Sequence, residues 1–109
     1  MDSVLDAEIR TAYLPHIEDE FKNESYFIKP EFVISEGFSR VDIAVITDNF
    51  YGYEIKSDGD SLKRLAKQSI SYSANFDYMT LLTTEKHVDD ALEIIPEWWR
   101  VISIKKDTI

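Results

Sequence analysis

Asp42, then eleven residues, then Glu54-Ile55-Lys56 place two carboxylates and an amine where they suit chemistry on a phosphate. Val41 to Ile46 is apolar on both faces apart from Asp42, which marks a central strand covered on both sides with a carboxylate at its outer end. In Tyr51 to Lys56, Tyr53 and Ile55 share one face and Glu54 and Lys56 the other, because side chains alternate along a strand. A hairpin about Asn49 then brings Asp42 to the same open end as Glu54 and Lys56. Two carboxylates at close range hold a hard cation such as Mg²⁺, which takes oxygen ligands and keeps waters that a phosphate displaces. Such a cation polarises a phosphodiester and lowers the pKa of a bound water, while a neighbouring lysine positions that water or stabilises developing charge. The competing account is a chance spacing, with Glu54 and Lys56 on a solvated strand face.

This convergence depends on register. A regular two-residue loop at Asp48-Asn49 pairs Asp42 with Ile55 and turns its carboxylate to the wrong face. The site therefore requires a three- or five-residue connection, or a bulge.

The supporting elements follow from periodicity. Val4, Leu5, Ile9, Ala12, Tyr13 and Ile17 recur at helical spacing between Ser3 and Phe21. Ser3 is the candidate N-cap, and Pro15 is expected to kink or end this helix early. Glu31 to Ser35, Val41 to Thr47 and Tyr51 to Lys56 read as an antiparallel meander, rich in Val, Ile, Phe and Tyr and divided by turn residues. A second helix spans Ser61 to Asn75, capped by Ser61 or Asp60, with Leu62, Leu65, Ala66, Ser69 and Ser73 on one face. Tyr78 to Thr83 is β-prone, Val88 to Ile95 is a short helix stopped by Pro96, and Trp99 to Ile104 is a last strand. The expectation is one α/β domain over residues 1–109, a mixed sheet flanked by helices.

A chain of 109 residues holds one core, and 44% apolar with 13% aromatic residues supplies it. The lack of cysteine excludes disulfides and thiolate metal sites, and only His16 and His87 remain for a zinc site. Both read as ordinary surface or loop histidines. No apolar run has transmembrane length and no signal pattern opens the chain, so a soluble, cytoplasmic protein without membrane contact is expected. The formal net charge of -9 leans away from nucleic acid, although contacts are made by patches and not by averages. Lys63, Arg64 and Lys67 form a basic sector suited to backbone phosphates. Trp98 and Trp99 supply core on one side and an exposed contact on the other.

Asp42 with Glu54-Ile55-Lys56 resembles the PD-(D/E)XK nuclease superfamily, with Val41 where the family name has proline. Gln68 and Tyr72 are similar to the Gln-x-x-x-Tyr motif of its RecB-like and lambda-exonuclease-like members. Glu8 falls within the apolar stripe of the first helix and resembles the helix-borne Glu of resolvase-like members; Glu31 and Glu36 are weaker candidates. The resemblance implies a restriction-endonuclease-like αβββαβ core over about Ser3 to Thr83, with a C-terminal helix and strand. It implies a Mg²⁺- or Mn²⁺-dependent nuclease, a hydrolase acting on DNA in a defence, repair or mobile-element setting. Asp42, Glu54, the Ile55 carbonyl and Glu8 would hold the metal, Lys56 and Gln68 would serve the water or phosphate, and Lys63, Arg64, Lys67 and Tyr72 would contact nucleic acid. A homodimer or larger protein complex stays open. The alternatives are a catalytically silent nuclease-fold binding protein or an acidic DNA-mimic inhibitor, and a structural module if Asp42 and Glu54 point apart.

Overall fold

Ile9, Tyr13 and Ile17 recur every four residues and are buried, so they seat α1 (Asp6–Glu20) on the sheet with one stripe. The computed structural model describes residues 3–34, 37 and 39–106. Along the chain follow β1 (Phe27–Ile34), β2 (Ser39–Ile46), β3 (Phe50–Ile55), α2 (Leu65–Asn75), β4 (Tyr78–Thr83), α3 (Glu85–Ile94) and β5 (Arg100–Ser103). The strands lie in sequence order in one sheet. β1, β2 and β3 are antiparallel neighbours, whereas β4 and β5 join in parallel through the crossovers that carry α2 and α3. The α/β class and mixed sheet are as expected. No described helix is long and apolar enough to cross a membrane.

The sheet separates two cores. Ile9, Tyr13, Ile17, Ile43, Val45 and Tyr53 pack on the α1 side, while Leu65, Tyr72, Ala44, Met79, Leu81 and Ala91 pack under α2 and α3. Gly52 shows how closely the second layer fits. A Cβ there would run into Met79 Sδ and lie 3.2 Å from the Phe76 ring. Gly52→Val is expected to cost about 1–3 kcal/mol through overpacking. Urea denaturation checks this, and an unchanged midpoint would mean that Met79 and Phe76 yield freely.

The register gives Asp42 its place. Ile46 pairs with Phe50 and Ile43 with Tyr53 across a three-residue connection, Thr47-Asp48-Asn49. Continued by one step, this ladder sets Asp42 opposite Glu54, on the same face. On its other side, Asp42 and Glu31 lie between the pairs Pro30–Ile43 and Phe32–Val41. Glu31 has φ of 51°, a left-handed conformation that side chains rarely adopt. There the alternation of faces inverts: Ile28 and Ile43 join the α1-side core, whereas Phe32, Ile34 and Val41 join the other.

Several boundaries differ from the sequence reading, each for a local reason. α1 continues through Pro15 instead of ending there, because Pro15 and Thr11, whose carbonyl loses its helical donor, are both exposed. Tyr13 and Ile17 hold both halves on the sheet. Ser3 is not its cap; Leu5 is, and its N–H donates to Glu8 Oε1 at 3.0 Å. α2 starts at Leu65 and not at Ser61. Asp60 accepts from the Ser57 N–H and hydroxyl at 2.7 and 2.9 Å, and Ser61 Oγ accepts from the Lys63 N–H at 3.0 Å. Both candidate caps thus close turns. α3 starts three residues before Val88, which puts His87 in a helix.

Candidate functional site

Glu54 and Lys56 leave the end of β3 almost wholly buried, 4% and 7% exposed, with Lys56 Nζ 3.4 Å from Glu54 Oε2. The backbone beneath them is fixed: the Lys56 N–H donates to the Leu82 carbonyl, and Thr83 Oγ1 donates to the Lys56 carbonyl at 2.7 Å. From β2, Asp42 Oδ2 accepts the Ile55 N–H at 2.7 Å. α2 and the turn before it add Arg64, Gln68 and Tyr72. Together these residues line a polar cavity of about 530 Å³, with Asp6, Arg40 and Asp60 at its rim. Two oxygens in it, Glu54 Oε1 and Gln68 Oε1, are buried without a hydrogen-bond partner.

Burial first, and then the negative charge of Asp42, push Glu54 up to about 8, with Lys56 only partly opposing them. Burial also raises Asp42, against the Ile55 N–H and the Arg10 guanidinium. Near neutral pH Glu54 therefore keeps its proton in the absence of a cation. Tyr72 is raised by burial and then by Glu54.

Arg10 is the member that motif reading passed over. Its Nη2 lies 3.1 Å from Glu31 Oε1, 3.5 Å from Asp6 Oδ1 and 3.7 Å from Asp42 Oδ1, and its Nη1 donates to the Asp42 carbonyl at 3.2 Å. Arg40 Nε holds the other oxygen of Glu31 at 3.2 Å. The i,i+4 spacing of Asp6 and Arg10 was the available signal.

Some expected members stand elsewhere. Glu8 does not line the cavity: it accepts from Leu5 and pairs with Lys106 at 2.7 Å, and the hydrogen bond from Lys106 holds it below the usual carboxylate range. Its place in the apolar stripe reflects capping of its own helix. Tyr72 is a buried wall whose hydroxyl donates to the Arg40 carbonyl at 2.9 Å, so it does not offer itself to a nucleic acid. Lys63 precedes α2 and stays outside the cavity, while Lys67 borders an adjoining groove with Arg64 and Gln68. Glu36 lies outside the described residues. His16 is exposed, but His87 is buried with Nε2 3.0 Å from the Ser57 carbonyl. Trp98 is half exposed and Trp99 is core, its Nε1 donating to Ser73 Oγ at 3.0 Å. Among the described residues no three His, Asp or Glu side chains gather as a metal-holding group. A cation here would rest on two carboxylates.

Comparison with known proteins corrects the family assignment. Protein cII of Enterobacteria phage P4 is 33% identical over 60 residues, 55% of this chain. That stretch is 23% of the phage protein, so the match spans about a quarter of the relative's length. No solved structure matches. The family model described as Bacteriophage P4 protein cII matches residues 1–109. This overturns the PD-(D/E)XK membership inferred from Asp42, Glu54-Ile55-Lys56, Gln68 and Tyr72. The nuclease, hydrolase and phosphodiesterase readings fall with it, although the residue types at Asp42, Glu54 and Lys56 suggest phosphate chemistry without any resemblance. Five charged or polar side chains at loose spacing describe a pocket, whereas the match along the whole chain describes an ancestry: this chain belongs to the bacteriophage P4 protein cII family.

Proposed function

We propose that this domain works by binding and not by catalysis, as a cytoplasmic regulatory module whose cavity takes a divalent cation and, beside it, a phosphate of DNA. The observation that carries this reading is the pair of buried, unpartnered oxygens, Glu54 Oε1 and Gln68 Oε1, in one cavity. Folded proteins bury few such atoms, and each asks for a partner. The donor set is oxygen only, which suits Mg²⁺ or Mn²⁺. Asp42, Glu54 and the Ile55 carbonyl would hold the ion, leaving positions for water and phosphate. When bound, the ion supplies the positive charge that lets an acidic cavity accept an anion. Arg64 offers a planar fork to phosphate at the rim. Lys56 fixes the Glu54 carboxyl, and Lys63 and Lys67 add charge along the approach. The finer reading of the fold, a restriction-endonuclease-like arrangement, is supported by element order alone and brings no activity with it.

Fluorescence anisotropy with labelled DNA at low salt tests this. Millimolar Mg²⁺ is expected to tighten binding about tenfold, roughly 1.4 kcal/mol. Replacing Lys63, Arg64 and Lys67 together by alanine is expected to weaken it and to flatten the salt dependence by about 2 in log–log slope. Affinity indifferent to both changes would defeat the reading.

A further inference from the structure

We infer that the nucleic acid taken by this cavity is single-stranded and runs from the cavity into the groove along the outer face of α2. This rests on the reading just given and names its ligand more narrowly. The groove, about 730 Å³, shares Ser39, Arg64 and Gln68 with the cavity, so the two are continuous. Along it stand Lys67 and Ile70, the latter 73% exposed.

Burial of the cavity's charged residues favours a flexible strand over a duplex. Glu54 and Lys56 form a floor only 4% and 7% exposed, so a phosphate must enter the cavity to approach them. Duplex phosphates are fixed on a rod with a persistence length of about 150 base pairs, whereas a single strand bends at every nucleotide.

Charge selects an anion. In a chain of net charge -9, Lys63, Arg64 and Lys67 have no carboxylate within ion-pair distance among the described residues. Arg10, Lys22, Arg40, Lys56, Arg100 and Lys106 all do; Lys29 and Lys86 do not, but neither lines the cavity or the groove. Two of these cations, Arg64 and Lys67, line the groove with an exposed apolar side chain, which matches a backbone that carries phosphates and unstacked bases together.

The test uses the full chain with Mg²⁺ and anisotropy of a labelled deoxyoligonucleotide, alone and annealed to its complement. The single strand is expected to bind about tenfold tighter than the duplex. Ile70→Glu, on the solvent face of α2, is expected to weaken the single strand about tenfold while leaving the cation-induced thermal shift intact. Equal affinity for duplex, or displacement of the strand by polyglutamate at equal charge, overturns the single-strand inference but leaves the cation-and-phosphate reading standing. Failure to bind either DNA, with or without cation, defeats both.

Discussion

Millimolar Mn²⁺ or Mg²⁺ is expected to raise the thermal midpoint of the protein by on the order of 10 °C, and Glu54→Gln is expected to abolish the gain. A ligand at a hundredfold excess over its dissociation constant stabilises the native state by about 2.7 kcal/mol. In a domain of this size each kcal/mol moves the midpoint by roughly 4–8 °C. The native cavity assembles Asp42 and Glu54 on one face, whereas the unfolded chain scatters them twelve positions apart in sequence. Glutamine keeps the volume of Glu54 but cannot give up a proton to a cation, so the apo fold should survive while the shift disappears. Scanning fluorimetry with and without metal reads both chains. An equal shift in wild type and Glu54→Gln would mean that the ion binds elsewhere on an acidic surface.

The second large effect concerns pH in the absence of metal. Burial and the Asp42 charge raise Glu54 from 4.5 to about 8, so the folded state binds this proton more tightly than the unfolded state does. Stability then falls as pH rises, beginning near the unfolded value and ending near the folded one. At about 1.36 kcal/mol per pKa unit the full decline is on the order of 3–5 kcal/mol. Urea denaturation between about pH 5 and pH 8 should show it. Glu54→Gln should flatten that slope and be the more stable protein at the alkaline end. A wild-type midpoint that stays level across this window would show that Glu54 is charged throughout, held so by Lys56.

Much of the scaffold was legible because hydrophobic period and turn chemistry are local. The β4 run, Tyr78 to Thr83, was read with its observed bounds, and the meander followed from Gly37 and Asp48-Asn49. The three-residue connection was legible in a stricter sense, since only a few registers put Asp42 and Glu54 on one face. What escaped depends on the third dimension. Pro15 breaks a helix in isolation, yet here its exposed face tolerates it. Glu8 and Arg10 are two residues apart on α1, and periodicity alone does not say which reaches Asp42. The left-handed Glu31, where the chain exchanges faces, has no glycine to announce it. The functional class was misread for a different reason. A short acidic-basic motif constrains a pocket and not an ancestry, and the match across residues 1–109 outweighs it.

The central claim is that the cavity at Asp42 and Glu54 holds one divalent cation. Titration calorimetry of Mn²⁺ into the apo protein tests it most directly, with Asp42→Asn and Glu54→Gln run alongside. The account predicts saturable uptake of a single ion by the wild type, with release of a proton from the Asp42–Glu54 pair, and no uptake by either variant. A wild type that takes up no ion, or variants that bind as it does, would contradict the account.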